Sequence, residues 1–315
     1  MGNLSAVLIA GPTGAGKSAL ALHVAHVFGG AVINADSMQV YAELRVITAR
    51  PSAEDEASAP HRLYGHVSAG EPYSVARWLG DAEAAIAEAR EAGLLPVVVG
   101  GTGLYFKALL EGLSPVPEIP PDIRARWRAA AEAGAALHPI LAARDPEMAA
   151  RLQAGDTQRI VRALEVLDAT GRSLAFWQGL RGRLVLDADA CVKVVATLDR
   201  ETLCDRLDAR MAHIATHGGQ AEAATLMRLG LPDDAPAMRA IGVRPLIAHA
   251  RGEMGLSEAI AAAQTETRRY AKRQLTWARG HFMSWTCLDA QQMERTKQEI
   301  HKLIIQRLDL GAVRA

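Results

Sequence analysis

Along the first hundred positions, short apolar runs that end in small or turn-forming residues alternate with longer stretches spaced at three and four residues. Residues 4–10 form one such run and lead into Gly11. Runs of this length, bounded by turn residues, suit strands buried on both faces. Residues 17–28 carry helical spacing and meet Gly29 and Gly30, which stop the helix. A second strand is expected over 31–35, ending at Asp36. The spacing then predicts a helix over 74–92, with Val75, Leu79, Ala82, Ile86 and Ala89 on its inner side and Gly93 as its stop. Residues 96–99 make a third strand, closed by Gly100 and Gly101. This alternation predicts a parallel sheet with helices on both faces.

From residue 112 to about 183 the rhythm breaks. A proline-rich linker (Pro115, Pro117, Pro120, Pro121) opens a helical stretch with no clear strand. Strand character returns at 191–198, and a last strand is expected near 284–288. The expected organisation is therefore a catalytic core from 1–117 and 187–315, with a helical insertion domain at 118–186.

Half of the residues are hydrophobic and 22% are charged, an ordinary globular balance. No apolar run approaches the length of a membrane span, and the N-terminus lacks the pattern of a signal peptide. A soluble, cytoplasmic protein without a membrane partner is expected. Cys191, Cys204 and Cys287 are scattered, with no C-x-x-C pair, so neither a disulfide framework nor a zinc finger is indicated. The 35 basic and 35 acidic residues cancel, so net charge is silent about partners. Its distribution is not. Eight cations against three anions lie between Arg239 and Arg279, which suits a polyanion.

Gly11-Pro12-Thr13-Gly14-Ala15-Gly16-Lys17-Ser18 fits the spacing G-x-x-x-x-G-K-[ST] between a predicted strand and a predicted helix. Such a loop turns backbone N–H groups around phosphate oxygens at a helix N-terminus. Lys17 supplies a charge to the terminal phosphate and Ser18 a ligand for Mg²⁺. The strand over 96–99 ends in glycines, where an ATPase of this kind carries a carboxylate. Only Asp36 stands where a carboxylate faces the loop. Transfer to a nucleophile therefore fits better than a motor ATPase.

With Asp36-Ser37-Met38-Gln39-Val40-Tyr41, the chain resembles the tRNA dimethylallyltransferase (tRNA isopentenyltransferase) family, in its bacterial form. Further matches follow in the family's order: Thr48-Ala49-Arg50-Pro51, Tyr73-Ser74, and residues 99–106 around Thr102. Residues 156–166 with Thr170-Gly171, then Ala240-Ile241-Gly242, and finally residues 267–277 complete them. The resemblance covers about residues 5–280. It implies a P-loop NTPase-like α/β core with a tRNA-contacting insertion. It also implies transfer of a dimethylallyl group from its diphosphate to N6 of the adenosine 3′-adjacent to the anticodon.

By the same resemblance, Gly11 to Ser18 hold the diphosphate, with Arg206 as a second cation, and Mg²⁺ sits at Ser18. Asp36 takes the N6 proton, and Thr102 contacts the target nucleotide or the diphosphate. The anticodon arm of tRNA meets Asp36, Ser37, Met38, Gln39 and Thr102 in the core, and Arg124, Gln158, Arg159, Ile160, Val161 and Arg162 in the insertion. It also meets Arg269, Lys272 and Arg273, part of a basic stripe with Arg268 and Arg279 along which no acid intervenes. A monomer is expected.

Two departures stand out, at residues 61–66 and 242–245. They are expected to alter local tRNA contacts and leave the chemistry untouched. A P-loop kinase of a nucleoside or small metabolite, and a non-catalytic RNA-binding protein, are the competing classes. The later motifs speak against the kinase, and an intact Lys17, Ser18 and Asp36 against the binder.

Overall fold

The computed structural model describes residues 4–180 and 182–312. The chain opens with β1 (Ala6–Ala10), α1 (Lys17–Phe28), β2 (Gly30–Asn34), α2 (Ala53–Ser58) and β3 (His61–Arg62). Then come α3 (Val75–Glu91), β4 (Leu95–Gly100) and α4 (Gly103–Glu111). Helices α5 (Pro121–Glu132), α6 (Leu137–Arg144), α7 (Pro146–Arg151), α8 (Thr157–Thr170) and α9 (Leu174–Gln178) follow without a strand. The remainder is β5 (Cys191–Thr197), α10 (Arg200–Ile214), α11 (Gln220–Arg228), α12 (Val243–Ala250), α13 (Leu256–His281), β6 (Thr286–Asp289) and α14 (Met293–Ala312).

The six strands form one parallel sheet in the order β3-β2-β4-β1-β5-β6. Strands β1, β2 and β4 are buried along their whole length, which is why they read as unbroken apolar runs. Leu8, Ile33 and Val98 face one layer, with Trp78, Ile86 and Phe106 from the helices. Val7, Ile9 and Val97 face the other, with Leu20 and Val24 of α1 and Ile300 and Ile304 of α14. The expected doubly covered parallel sheet is the one observed. Helix α3 begins on a Ser74 cap, whose hydroxyl accepts the Arg77 N–H at 3.2 Å. Its deepest side chain is Trp78, which the apolar spacing had passed over; Val75 and Leu79 are only partly buried.

The chain divides into two units, residues 1–110 with 185–315, and residues 111–184. The insertion thus starts earlier than the expected 118 and ends before the expected 186. Val116 and Ile119 of the proline-rich linker pack in the helical core, whereas Leu186 packs beneath the sheet. The helical unit is centred on Trp127, Leu141, Ile160, Leu164 and Val166. Asp168 gathers its polar side, accepting Trp127 Nε1 at 2.7 Å and pairing with Arg126 and Arg144.

Candidate functional site

Three loops converge at the carboxyl ends of β1, β2 and β4, the usual ligand side of an open parallel sheet. The first, residues 11–16, turns from β1 into α1. Gly11 has φ 147°, and any Cβ there would stand 2.4 Å from the Ala196 carbonyl oxygen, so only glycine lets the loop pass β5. Lys17 Nζ donates to the Pro12 carbonyl at 2.6 Å. Burial lowers the Lys17 pKa to about 8; Asp36 pulls it back up, and Arg210 pushes it further down.

The second loop carries Asp36, and a buried asparagine fixes it. Asn34 Oδ1 accepts the Asp36 N–H at 2.8 Å, while Asn34 Nδ2 donates to the carbonyls of Asp36 and Leu63 at 2.9 and 3.0 Å. The Asn34 carbonyl itself accepts Trp78 Nε1 at 2.9 Å. Asp36 Oδ1 in turn accepts the Met38 N–H at 2.9 Å, which starts the turn through Ser37 and Met38. The third loop follows β4, where Thr102 Oγ1 accepts the Ser37 N–H at 3.0 Å.

Two cavities meet here. The larger, about 340 Å³, is lined by Thr13, Gly14, Gly16, Lys17 and Ser18, with Arg206, Arg210, Gln39 and Tyr64 around them. The smaller, about 210 Å³, is lined by Ser37, Met38, Ile47, Met211, Arg239, Ile241, Tyr270 and Arg273, among others. Thr13, Asp36, Thr48 and Arg210 belong to both. Asp36 is thus the acid at the junction of a cationic cavity and a mixed apolar one. Burial lowers the Arg210 pKa and raises that of Tyr270, with Asp36 acting on each.

A model of the IPP transferase family matches residues 39–281, and one described as isopentenyl transferase matches residues 4–67. The chain belongs to the IPP transferase family. A tRNA dimethylallyltransferase of Azorhizobium caulinodans is 53% identical over 282 residues, covering 89% of this chain and 90% of that protein. One from Parvibaculum lavamentivorans is 47% identical over 98% of both. Among solved structures, the full-length tRNA isopentenylpyrophosphate transferase of Bacillus halodurans is 32% identical, with a TM-score of 0.71 over 97% of each chain. A eukaryotic dimethylallyltransferase acting on tRNA shares 26% identity and a TM-score of 0.77, over 90% of this chain and 73% of that one. These IPP transferases share the parallel-sheet core, so the fold expected from the P-loop pattern is the family's own.

Not every expected site residue lines a cavity. Gly11, Pro12 and Ala15 do not line the larger one. Gly11 closes against Ala196, Pro12 presents its carbonyl to Lys17 and to the Ala15 N–H, and Ala15 is buried with Leu203 and Leu207. Thr102 lines neither cavity. It stands behind Ser37, its hydroxyl accepting the Ser37 N–H at 3.0 Å and donating to the Ser37 hydroxyl at 3.4 Å. Ile160 and Val161 are buried in the helical core, so their side chains are closed to an RNA surface. Gln158 and Arg159 are exposed, and Arg124 and Arg162 half-exposed. Asp156 holds the first position before α8 without capping it; its carboxylate lies 3.8 Å from Arg159.

Arg268 is not a free member of the basic stripe, because Asp208 of α10 takes both oxygens to it at 2.6 and 2.7 Å. The acid that the local sequence lacks comes from another helix. Tyr64, within the departure at residues 61–66, lines the cavity of Lys17. Arg210, Arg239, Tyr270 and Gln274 were missed. Two signals pointed to them: Arg206 and Arg210 stand four apart on α10 and so share a face, and Tyr270 and Gln274 lie in the matching segment 267–277. Among the described residues, no helix is long and apolar enough to cross a membrane.

Proposed function

We infer that this chain is a tRNA dimethylallyltransferase, moving a dimethylallyl group from its diphosphate to N6 of the adenosine 3′-adjacent to the anticodon. The meeting of two cavities at Asp36 carries this reading. The cationic one, with Lys17, Arg206 and Arg210, suits a diphosphate. The other offers Met38, Ile47, Met211 and Tyr270 to a flat or branched apolar group, as a flipped purine or a prenyl chain requires.

The exocyclic amine attacks the allylic carbon, the carbon–oxygen bond to diphosphate breaks, and its electron pair leaves with the diphosphate. Asp36 accepts the proton that N6 releases. Lys17, Arg206 and Arg210 neutralise the charge that collects on the leaving group. Thr102 and Asn34 act through the Ser37 and Asp36 backbones and position the base. The donor set fits Mg²⁺: Ser18 offers a hydroxyl and Asp36 lines the same cavity, but the described residues hold no cluster of three or more metal-binding side chains. A small hard cation bound chiefly by the diphosphate and water suits such a site. Ser18 would hold it, and it would neutralise the departing oxygens.

Arg269, Lys272 and Arg273 on α13 are exposed and supply a phosphate-binding face. Arg124, Gln158, Arg159 and Arg162 supply tRNA contacts in the helical unit. The chain works as a monomer in the cytoplasm. The kinase reading loses its support, since relatives matching most of the chain are named tRNA dimethylallyltransferases. Incubation with radiolabelled dimethylallyl diphosphate and bulk tRNA should transfer label to tRNA. Phosphorylation of a nucleoside from ATP, with no label on tRNA, would overturn the assignment.

A further inference from the structure

Helix α13 sends one side chain between the two halves of the site. Gln274 is buried, although Lys272, Arg273 and Thr276 close by in the chain are exposed. Its Oε1 accepts the Thr13 N–H at 2.9 Å, and its Nε2 donates to the Gly101 carbonyl at 3.0 Å. The contact with the β4–α4 turn is close, since a Cβ at Gly101 would lie 2.0 Å from Gln274 Nε2 and 3.6 Å from Asp36 Oδ2. One amide therefore spans from the phosphate loop to the turn that lies against Asp36.

Only a primary amide satisfies both ends, because one partner is a donor and the other an acceptor. A carboxylate meets the first and repels the second. The two bonds also settle which atom of the amide is oxygen. Thr13 lines both cavities, so its peptide orientation affects each. With its N–H committed to Gln274, that peptide is held in one setting, and the loop that follows it is aimed from there.

The geometry points to Gln274 as a positioning residue that fixes the distance between the donor diphosphate and the amine facing Asp36. The inference rests on the function proposed above. Bond formation between two separately held substrates depends steeply on their spacing: a displacement near 1 Å costs about 10²-fold in rate. Binding of each substrate alone does not, because each loop still carries its own contacts.

The test is Q274M, which keeps length and volume but makes neither bond, beside Q274E, which keeps only the bond to Thr13. Three quantities are measured: equilibrium binding of dimethylallyl diphosphate and of tRNA, single-turnover transfer, and hydrogen exchange at the Thr13 amide. Q274M should bind each substrate within about threefold of wild type, transfer about 10²-fold more slowly, and expose the Thr13 amide to exchange. Q274E should keep that amide protected and still transfer slowly. Wild-type transfer by either folded variant would overturn the inference, as would loss confined to substrate affinity. Absence of transfer by the wild-type chain would refute the function alone, since Thr13 protection still reports on the bridge.

Discussion

Lys17 Nζ donates to the carbonyl oxygen of Pro12 at 2.6 Å, so its charge is held by the loop it belongs to. Burial holds its pKa at about 8 against an ordinary 10.5. Between those values the unfolded chain binds more protons than the folded one, so stability rises with pH across that window. Below about pH 8 the full cost of burying the ammonium is present. Lys17→Met should therefore raise the melting temperature of the ligand-free chain at pH 7 and abolish diphosphate binding. The stability gain should shrink as pH rises from 8 to 10.5. Wild-type affinity for diphosphate should fall as pH passes through about 8. Calorimetry and titration at several pH values check both; a variant less stable at pH 7 would contradict the assigned burial cost.

Asp36→Asn keeps the acceptor for the Met38 N–H and removes the capacity to take a proton. Single-turnover transfer should drop by about 10² to 10⁴, the range for a lost general base, with both substrates still bound. Near-normal transfer would reduce Asp36 to electrostatic positioning.

On α13, Arg269, Lys272 and Arg273 are exposed, whereas Arg268 is engaged by Asp208. Replacing the first three with Gln should flatten the salt dependence of tRNA binding by roughly one log unit per lost phosphate contact. Arg268→Gln should leave the slope unchanged. A slope insensitive to the triple change would move the phosphate contacts to the helical unit.

Asp168 neutralises two guanidinium groups and accepts the Trp127 indole N–H. Asp168→Ala should destabilise the helical unit by about 1–3 kcal/mol, because a largely buried donor loses its partner. Asp168→Asn should cost less, since the amide oxygen still accepts from Trp127. Hydrogen exchange in residues 111–184 should rise more in Asp168→Ala than in Asp168→Asn, with the sheet unaffected.

Strands β1, β2 and β4 were legible because strands buried on both faces cannot hide their composition, and glycines mark the ends of β1 and β4. Strand β3 was not, since His61 and Arg62 form a two-residue edge with no apolar pattern to read. Lys17 and Ser18 were visible through local spacing alone, whereas the role of Asp36 as base came from the resemblance. Gln274 lies within the matching segment 267–277, but its bridging role could not be read there, because its partner at Thr13 is 261 residues away. Ile160 and Val161 sat inside a matching segment, but a segment has two sides, and burial assigned these two to the inner one.

The position of β1 in the sheet also bears on how the protein is made. It pairs with β4 on one side and β5 on the other, and the helical unit lies between those two in the chain. On the ribosome, the strand that carries the phosphate loop is left with an open edge from the emergence of Gly100 until Cys191 follows. At ordinary elongation rates that interval is on the order of ten seconds, long compared with local helix formation. Helices α5 to α9 have time to fold by themselves during it. The nascent β1 edge, apolar along all five residues, is meanwhile open to mispairing and to chaperone capture.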